Sequence, residues 1–176
     1  MWPAPGDSGD CEVAPRRQHA RTPRRAGEKH GWLRFRSHQE IHETALTAYP
    51  HVERDETQFT RVEDGATVTV LLSGQVRCTG GVIIEVDKTY EVRRRSGREE
   101  IRGVYYRYTA RFPGRGNILR YDNGHIEAPD EFHRHEYDLV TWQESSRTLL
   151  TRDELPVMTE VIDEVMDFVF GAGLIT

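Results

Sequence analysis

Three of the chain's eight histidines fall within eleven residues: His125, His133 and His135. His133 and His135 form a His-x-His pair. On a strand, that spacing puts both imidazoles on one face, about 6–7 Å apart at Cα. Asp122 and His125 close the segment before them and can return toward the pair. Imidazole titrates near neutrality, so two histidines can divide the acid and base roles of one reaction. Three readings of the cluster follow from the residues. In the first, one histidine deprotonates a nucleophile and another protonates a leaving group. RNA suits this chemistry, because its 2′-OH attacks the adjacent phosphate once a base takes the proton and nearby cations offset the developing charge. In the second, His125, His133 and His135 bind a metal together with a carboxylate such as Asp122 or Glu136, a donor set that zinc accepts. In the third, the histidines make structural hydrogen bonds around a polar loop.

Cations for a phosphate backbone are close by in sequence. Arg107, Arg111, Arg120 and Arg134 are candidate phosphate contacts. Tyr105, Tyr106 and Tyr108 interleave with Arg107 and Arg111, a pattern that can stack bases and hold phosphates on a sheet. The competing reading puts Tyr106 and Tyr108 in the core with Tyr105 flanking it. Arg93-Arg94-Arg95 reads as a solvated turn. His19, His30, His38, His42 and His51 receive no role. The chain has no P-loop, no Gly-x-Ser-x-Gly and no His-Glu-x-x-His. Gly114-x-Gly116 lacks the third glycine and the strand–helix setting of a dinucleotide fingerprint.

The elements that must position these groups are mostly strands. Apolar residues alternate from Thr67 through Val70, Leu72, Val76 and Cys78, and again at Val82, Ile84 and Val86. The strongest strand runs from Ile101 to Phe112, with Val104, Tyr106, Tyr108, Ala110 and Phe112 expected on one face. Ile118 to Tyr121 forms the next. Short polar turns between them predict an antiparallel meander of about five strands. Leu155, Met158, Val161, Ile162, Val165, Met166 and Val169 recur at helical spacing and need a partner, which the sheet supplies. Thr151-Arg152-Asp153-Glu154 has the form of a capping box for that helix, with Pro156 in its first turn. Ser37-His38-Gln39-Glu40 has the same form ahead of a short helix over 38–49. The expected fold is therefore α+β: an antiparallel sheet with a C-terminal amphipathic helix packed on one face.

Composition sets the outer limits. The chain has 176 residues, 36% hydrophobic and 30% charged. That is one domain's length, with residues 37–176 as the domain and 1–36 as a basic, proline-rich tail expected to be disordered. No run approaches the ~20 apolar residues of a membrane span, and the start lacks the layout of a signal peptide. Cys11 and Cys78 lie far apart and read as unpaired thiols of a reducing cytosol, so a cytoplasmic protein is expected. The net charge of −5 hides an asymmetry. Residues 88–120 carry ten basic residues against Glu91, Glu99 and Glu100, whereas residues 144–167 carry seven acids against Arg147 and Arg152. The basic middle is expected to meet a polyanion.

Taken together, Tyr106-Arg107-Tyr108, then Ile118-Leu119-Arg120-Tyr121-Asp122-Asn123 with a histidine nearby, then His133-Arg134-His135 and an acidic C-terminal helix resemble the TumE-type toxins. The resemblance covers roughly residues 65–170, and its specific part is the Arg-Tyr-Asp-Asn core. It differs in that Gly124 precedes a single His125 and the next histidines come only after Ala128-Pro129. The resemblance implies an α+β fold, growth inhibition through RNA cleavage and a helix-turn-helix antitoxin as partner. The leading expectation is thus a metal-independent ribonuclease without cofactor. His125 and His135 would be the acid/base pair, His133 a supporting group, Asp122 an orienter, and Arg107, Arg120 and Arg134 the phosphate contacts. A non-catalytic module that binds RNA or protein, and a small metal-binding protein, are the alternatives.

Overall fold

The computed structural model describes residues 31–124 and 131–175. Among these, nine strands form one sheet. They are β1 (Leu33–Arg34), β2 (Val52–Asp55), β3 (Gln58–Asp64), β4 (Thr67–Cys78), β5 (Val82–Arg95), β6 (Arg98–Phe112), β7 (Gly116–Asp122), β8 (Phe132–Tyr137) and β9 (Glu144–Leu150). Helix α1 (Phe35–Thr47) follows β1, and helix α2 (Met158–Gly171) follows β9. From β4 to β9 each strand pairs antiparallel with the next. The expected α+β meander with a C-terminal helix is present, but the sheet is larger than the five strands anticipated.

The extra strands lie where apolar alternation is weak. β2 and β3 both pair with β4 and form one interrupted edge. The interruption falls at Glu56-Thr57, opposite Gly74. Gly74 has φ of 136°, and a Cβ there would sit 2.3 Å from the Glu56 carbonyl oxygen, so only glycine lets the two chains approach. β1 pairs Leu33 with Ile101 at the near end of β6. Trp32 stacks on Arg93, whose guanidinium carbon is 4.0 Å from the ring centre. The folded part thus reaches back before residue 37, and residues 1–30 lie outside the described residues. Cys11 is among them. Cys78 is a buried core thiol, pushed up to about 12 by burial.

Both capping boxes act differently from expectation. α1 begins at Phe35, ahead of Ser37, with Arg34 as its extended N-cap. Thr151 and Glu154 do engage: the Thr151 N–H and hydroxyl donate to the Glu154 carboxylate at 2.7 and 2.8 Å. They close only a single 3-10 turn at Arg152–Glu154, and Pro156 lies ahead of α2 rather than in it. At α2 itself the Glu160 carboxylate accepts the Val157 N–H at 2.9 Å. The apolar stripe of α2 is buried as expected: Met158, Val161, Ile162, Val165, Met166 and Val169 pack on the sheet.

The strand that organises the rest is β6. Its fifteen residues serve two neighbours, β1 at its start and β7 along its second half. Between these, the pairing with β5 shifts by one: Tyr90 faces Gly103, but Thr89 faces Tyr105. Val104 is the additional residue, a β-bulge. It is 42% exposed, which corrects its expected place on the core face. The bulge reverses the phase of the pleat, so Ile101 before it and Tyr106, Tyr108, Ala110 and Phe112 after it all face the core. Asn123, at the end of β7, bridges the bulge. Its Oδ1 accepts the Tyr106 N–H at 2.8 Å and its Nδ2 donates to the Val104 carbonyl at 3.0 Å. Its own N–H donates to the Tyr106 carbonyl at 3.1 Å. Asn123→Ala removes both side-chain bonds and leaves buried backbone groups without partners. It should destabilise the domain by about 2–3 kcal/mol, read as a lower urea midpoint in chemical denaturation. A loss below about 0.5 kcal/mol would show that the bulge holds itself.

Candidate functional site

Side chains alternate faces along each strand, so the register assigns every candidate residue to a face. On the face away from α2 two cross-strand rows run across the sheet. One is Glu85, Thr109, Arg120, His135 and Arg147; the other is Asp87, Arg107, Asp122, His133 and Leu149. Arg111 lies on the same face, opposite Ile83. Tyr105 follows by two-residue spacing from Arg107 and stands against Gly124. The structure therefore brings together seven of the expected residues: Tyr105, Arg107, Arg111, Arg120, Asp122, His133 and His135.

Two expected residues are not in that group. Arg134 points to the opposite face, toward α2. Its Nε donates to Glu164 at 2.8 Å and to the Tyr121 hydroxyl at 3.1 Å, and it also pairs with Glu136. The Tyr121 hydroxyl donates to Glu164 in turn. Burial, and then the Glu164 carboxylate, push the Tyr121 phenol well above its ordinary value. Arg134 thus ties β8 to α2 and cannot reach a phosphate on the other face. His125 lies outside the described residues.

The centre of the polar face is sequestered. Asp122, His133 and His135 are each no more than 4% exposed. His135 Nε2 lies 3.5 Å from Asp122 Oδ2 and 3.4 Å from Arg120 Nη2, while Arg120 Nε donates to Asp122 at 2.5 Å. His135 Nδ1 lies 3.1 Å from Glu144 Oε1. The imidazole is thus flanked by two carboxylates and one guanidinium. His133 is the neighbour, with ring centres 6.0 Å apart. Its Nε2 accepts from Arg147 Nη2 at 2.8 Å, which assigns the ring proton to Nδ1. Among the described residues, no three His, Cys, Asp or Glu side chains converge on a metal position.

Sequence reasoning missed Arg147 and Glu144. Both lie on β9, which carries no apolar alternation to announce a strand. The expected basic patch is also altered by pairing. Arg107 donates to Asp87 at 2.9 Å and Arg111 to Glu85 at 2.8 Å; Arg93 pairs with Glu100 at 2.7 Å, and Arg102 with Glu91. Asp87 and Glu85 lie outside the segment 88–120, and the antiparallel register sets them beside Arg107 and Arg111.

Comparison of the chain with models of protein families, with curated proteins and with solved structures returns no match.

The two faces make opposite predictions for two arginines. Arg134→Ala should cost about 1–3 kcal/mol of stability, because it leaves Glu136 and Glu164 without their cation, and should leave unchanged the salt dependence of any polyanion binding by the polar face. Arg107→Ala should change stability by less than ~1 kcal/mol and lower the slope of log affinity against log salt by about one. Paired denaturation and binding titrations check this; the reverse assignment of effects would contradict the faces described.

Proposed function

We propose that the chain is a TumE-like toxin component that cleaves RNA without a metal, and that its site is the polar face of β6 to β9. One observation carries the reading: two neighbouring histidines each touch an arginine, His135 with Arg120 and Asp122 beside it and His133 with Arg147, and their rings lie 6.0 Å apart. RNA cleavage by its own 2′-OH needs a base, an acid and cations for the phosphate, and each is represented here.

His135 is the better placed proton carrier. Asp122 and Glu144 lie beside its two nitrogens, at 3.5 and 3.1 Å. His133 is the second group among the described residues, close enough to act on the other side of one phosphate. Arg120 and Arg147 each touch an imidazole nitrogen in the free protein. An incoming phosphate competes for both guanidiniums, which donate more strongly to a phosphate oxygen than to a neutral imidazole nitrogen. Substrate binding would then release the histidines as it positions the phosphorus. Tyr105 and Arg107, beside this centre, are placed to hold the flanking base and phosphate. The helix-turn-helix antitoxin belongs to the same proposal through the family resemblance.

The near-complete burial of both imidazoles favours a second reading, in which they are a polar brace of the sheet and the protein binds RNA without cleaving it. The two are separated by incubating the purified chain with a labelled oligoribonucleotide in excess chelator. The ribonuclease reading expects cleavage with a bell-shaped pH profile and a 2′,3′-cyclic phosphate end. His135→Ala and His133→Ala should each lower the rate on the order of 10²-fold or more while the fold is retained. Binding without cleavage, with both variants binding as the parent does, would give the second reading. Loss of cleavage in chelator, restored by zinc, would overturn the metal-free mechanism.

A further inference from the structure

A second polar group lies on the other face of the sheet, away from the histidine pair. It surrounds Lys88. The alternation Val82, Ile84, Val86 continues inward to residue 88, so a lysine occupies a core position between Leu72 and Tyr106 in the register. Three tyrosine rings surround its ammonium: Nζ lies 5.3 Å from the centre of Tyr90, 5.1 Å from Tyr106 and 5.5 Å from Tyr108. Nζ also donates to the Tyr108 hydroxyl at 3.4 Å. His38 of α1 reaches in beside it, with Nε2 3.0 Å from the Tyr90 hydroxyl. Among the described residues no carboxylate pairs with Lys88. Lys88 is half-buried, and a cation partly withdrawn from water without a counterion is costly unless something offsets it, which aromatic faces do only in part.

Lys88 lines a cavity of about 50 Å³ beneath the β6 bulge. None of the fourteen residues around it is acidic, and three carry basic groups: Lys88, His38 and Arg152. The rest of the wall is largely apolar, with Leu33, Ile101, Phe132 and Leu155 among its members. The volume admits several waters or a ligand of a few heavy atoms such as acetate. A phosphate would leave oxygens facing the apolar wall, whereas a short carboxylate sets its charge at one end and its alkyl group at the other.

We propose that this cavity is a binding site for a short-chain monocarboxylate, with Lys88 as its counterion and the Leu33, Ile101, Phe132 and Leu155 side chains around its alkyl end. The site shares Tyr105 with the edge of the polar face but does not depend on the ribonuclease reading.

The chain has only two lysines, Lys29 and Lys88. Labelling with [ε-13C]lysine therefore gives two resonances, and Lys29 serves as the internal reference. Burial lowers the Lys88 ammonium to about 8. The ionisable groups around it are His38 and His42 on α1, Tyr90 on β5, and Tyr106 and Tyr108 on β6, with Arg152 at the cavity wall. Burial, then Lys88, holds His38 at about 4, and burial lowers His42. Both imidazoles are therefore neutral where Lys88 titrates. The three phenols are raised by burial, so they stay neutral as well. A carboxylate favours the charged lysine, so binding must raise its midpoint and weaken as pH rises through about 8.

The experiment is a pH titration of the full chain in sodium acetate, in acetamide, and in sodium chloride at matched ionic strength. Acetate should move the Lys88 midpoint up by about one unit or more, with acetamide and chloride leaving it in place. Leu33→Phe, which fills the cavity while keeping the lysine, should abolish the acetate shift. Lys88→Met should abolish acetate protection against thermal unfolding. A Lys88 midpoint at the ordinary value of about 10.5 before any ligand, an equal response to acetamide, or no response to acetate would each overturn the proposal.

Discussion

One side chain fixes the phase of the sheet. β6 must pair with β1 at one end and β7 at the other, and the change of partner needs an extra residue, Val104. Asn123 bonds to the carbonyl of that residue and to the N–H of Tyr106, so the bulge stays at one position. Everything beyond it depends on that register. Tyr106 faces inward, where its hydroxyl donates to the Pro156 carbonyl at 2.6 Å and fixes the approach to α2. Arg107 and Tyr105 face outward. A slip of one residue would exchange these faces along the rest of β6. The Lys88 cavity opens beneath the same bulge.

The outward face is built from paired charges. Each exposed arginine–carboxylate pair contributes little to stability, typically 0–1 kcal/mol, because water screens both partners. A phosphate can therefore take over Arg107 or Arg111 at small cost. The pairs at the centre differ. Arg120 and Asp122 share a position next to a buried imidazole, and removing one partner leaves the other uncompensated. The face thus grades from exposed ion pairs between β5 and β6 to a buried network at β7 and β8, which opens only to a ligand that replaces the partners it displaces.

Much of this could be read from the sequence, and the failures have physical causes. Strands β4, β5 and β6 were visible because one of their faces is apolar, and α2 because its stripe is. Strands β2, β3 and β9 carry mainly polar residues at the sheet's edges, where alternation has nothing to report. The expectation that Arg134 contacts a phosphate fails because the residue faces α2, and the spacing itself argues for that. If His133 and His135 share a face by period two, the residue between them faces away. Lys88 gave a signal of the same kind, since it continues the inward positions of Val82, Ile84 and Val86. Glu144 and Arg147 gave none, because only the pairing of β9 with β8 brings them to the histidines. The count of charges along the basic middle leaves out Asp87 and Glu85, which only the pairing of β5 with β6 brings to Arg107 and Arg111.

The central claim is that Arg120 and Arg147 hold the two imidazoles until a phosphate draws the guanidiniums away. The direct measurement is a histidine 15N spectrum of the chain titrated with a 2′-O-methyl oligoribonucleotide, which can bind but cannot be cleaved through its own 2′-OH. In the free protein, His133 should show a protonated Nδ1 and an acceptor Nε2. On binding, the ring nitrogens of both His133 and His135 should shift together, and Arg147→Ala should remove the change at His133. Saturation of the protein with oligonucleotide while both rings keep their free-state shifts would contradict the account.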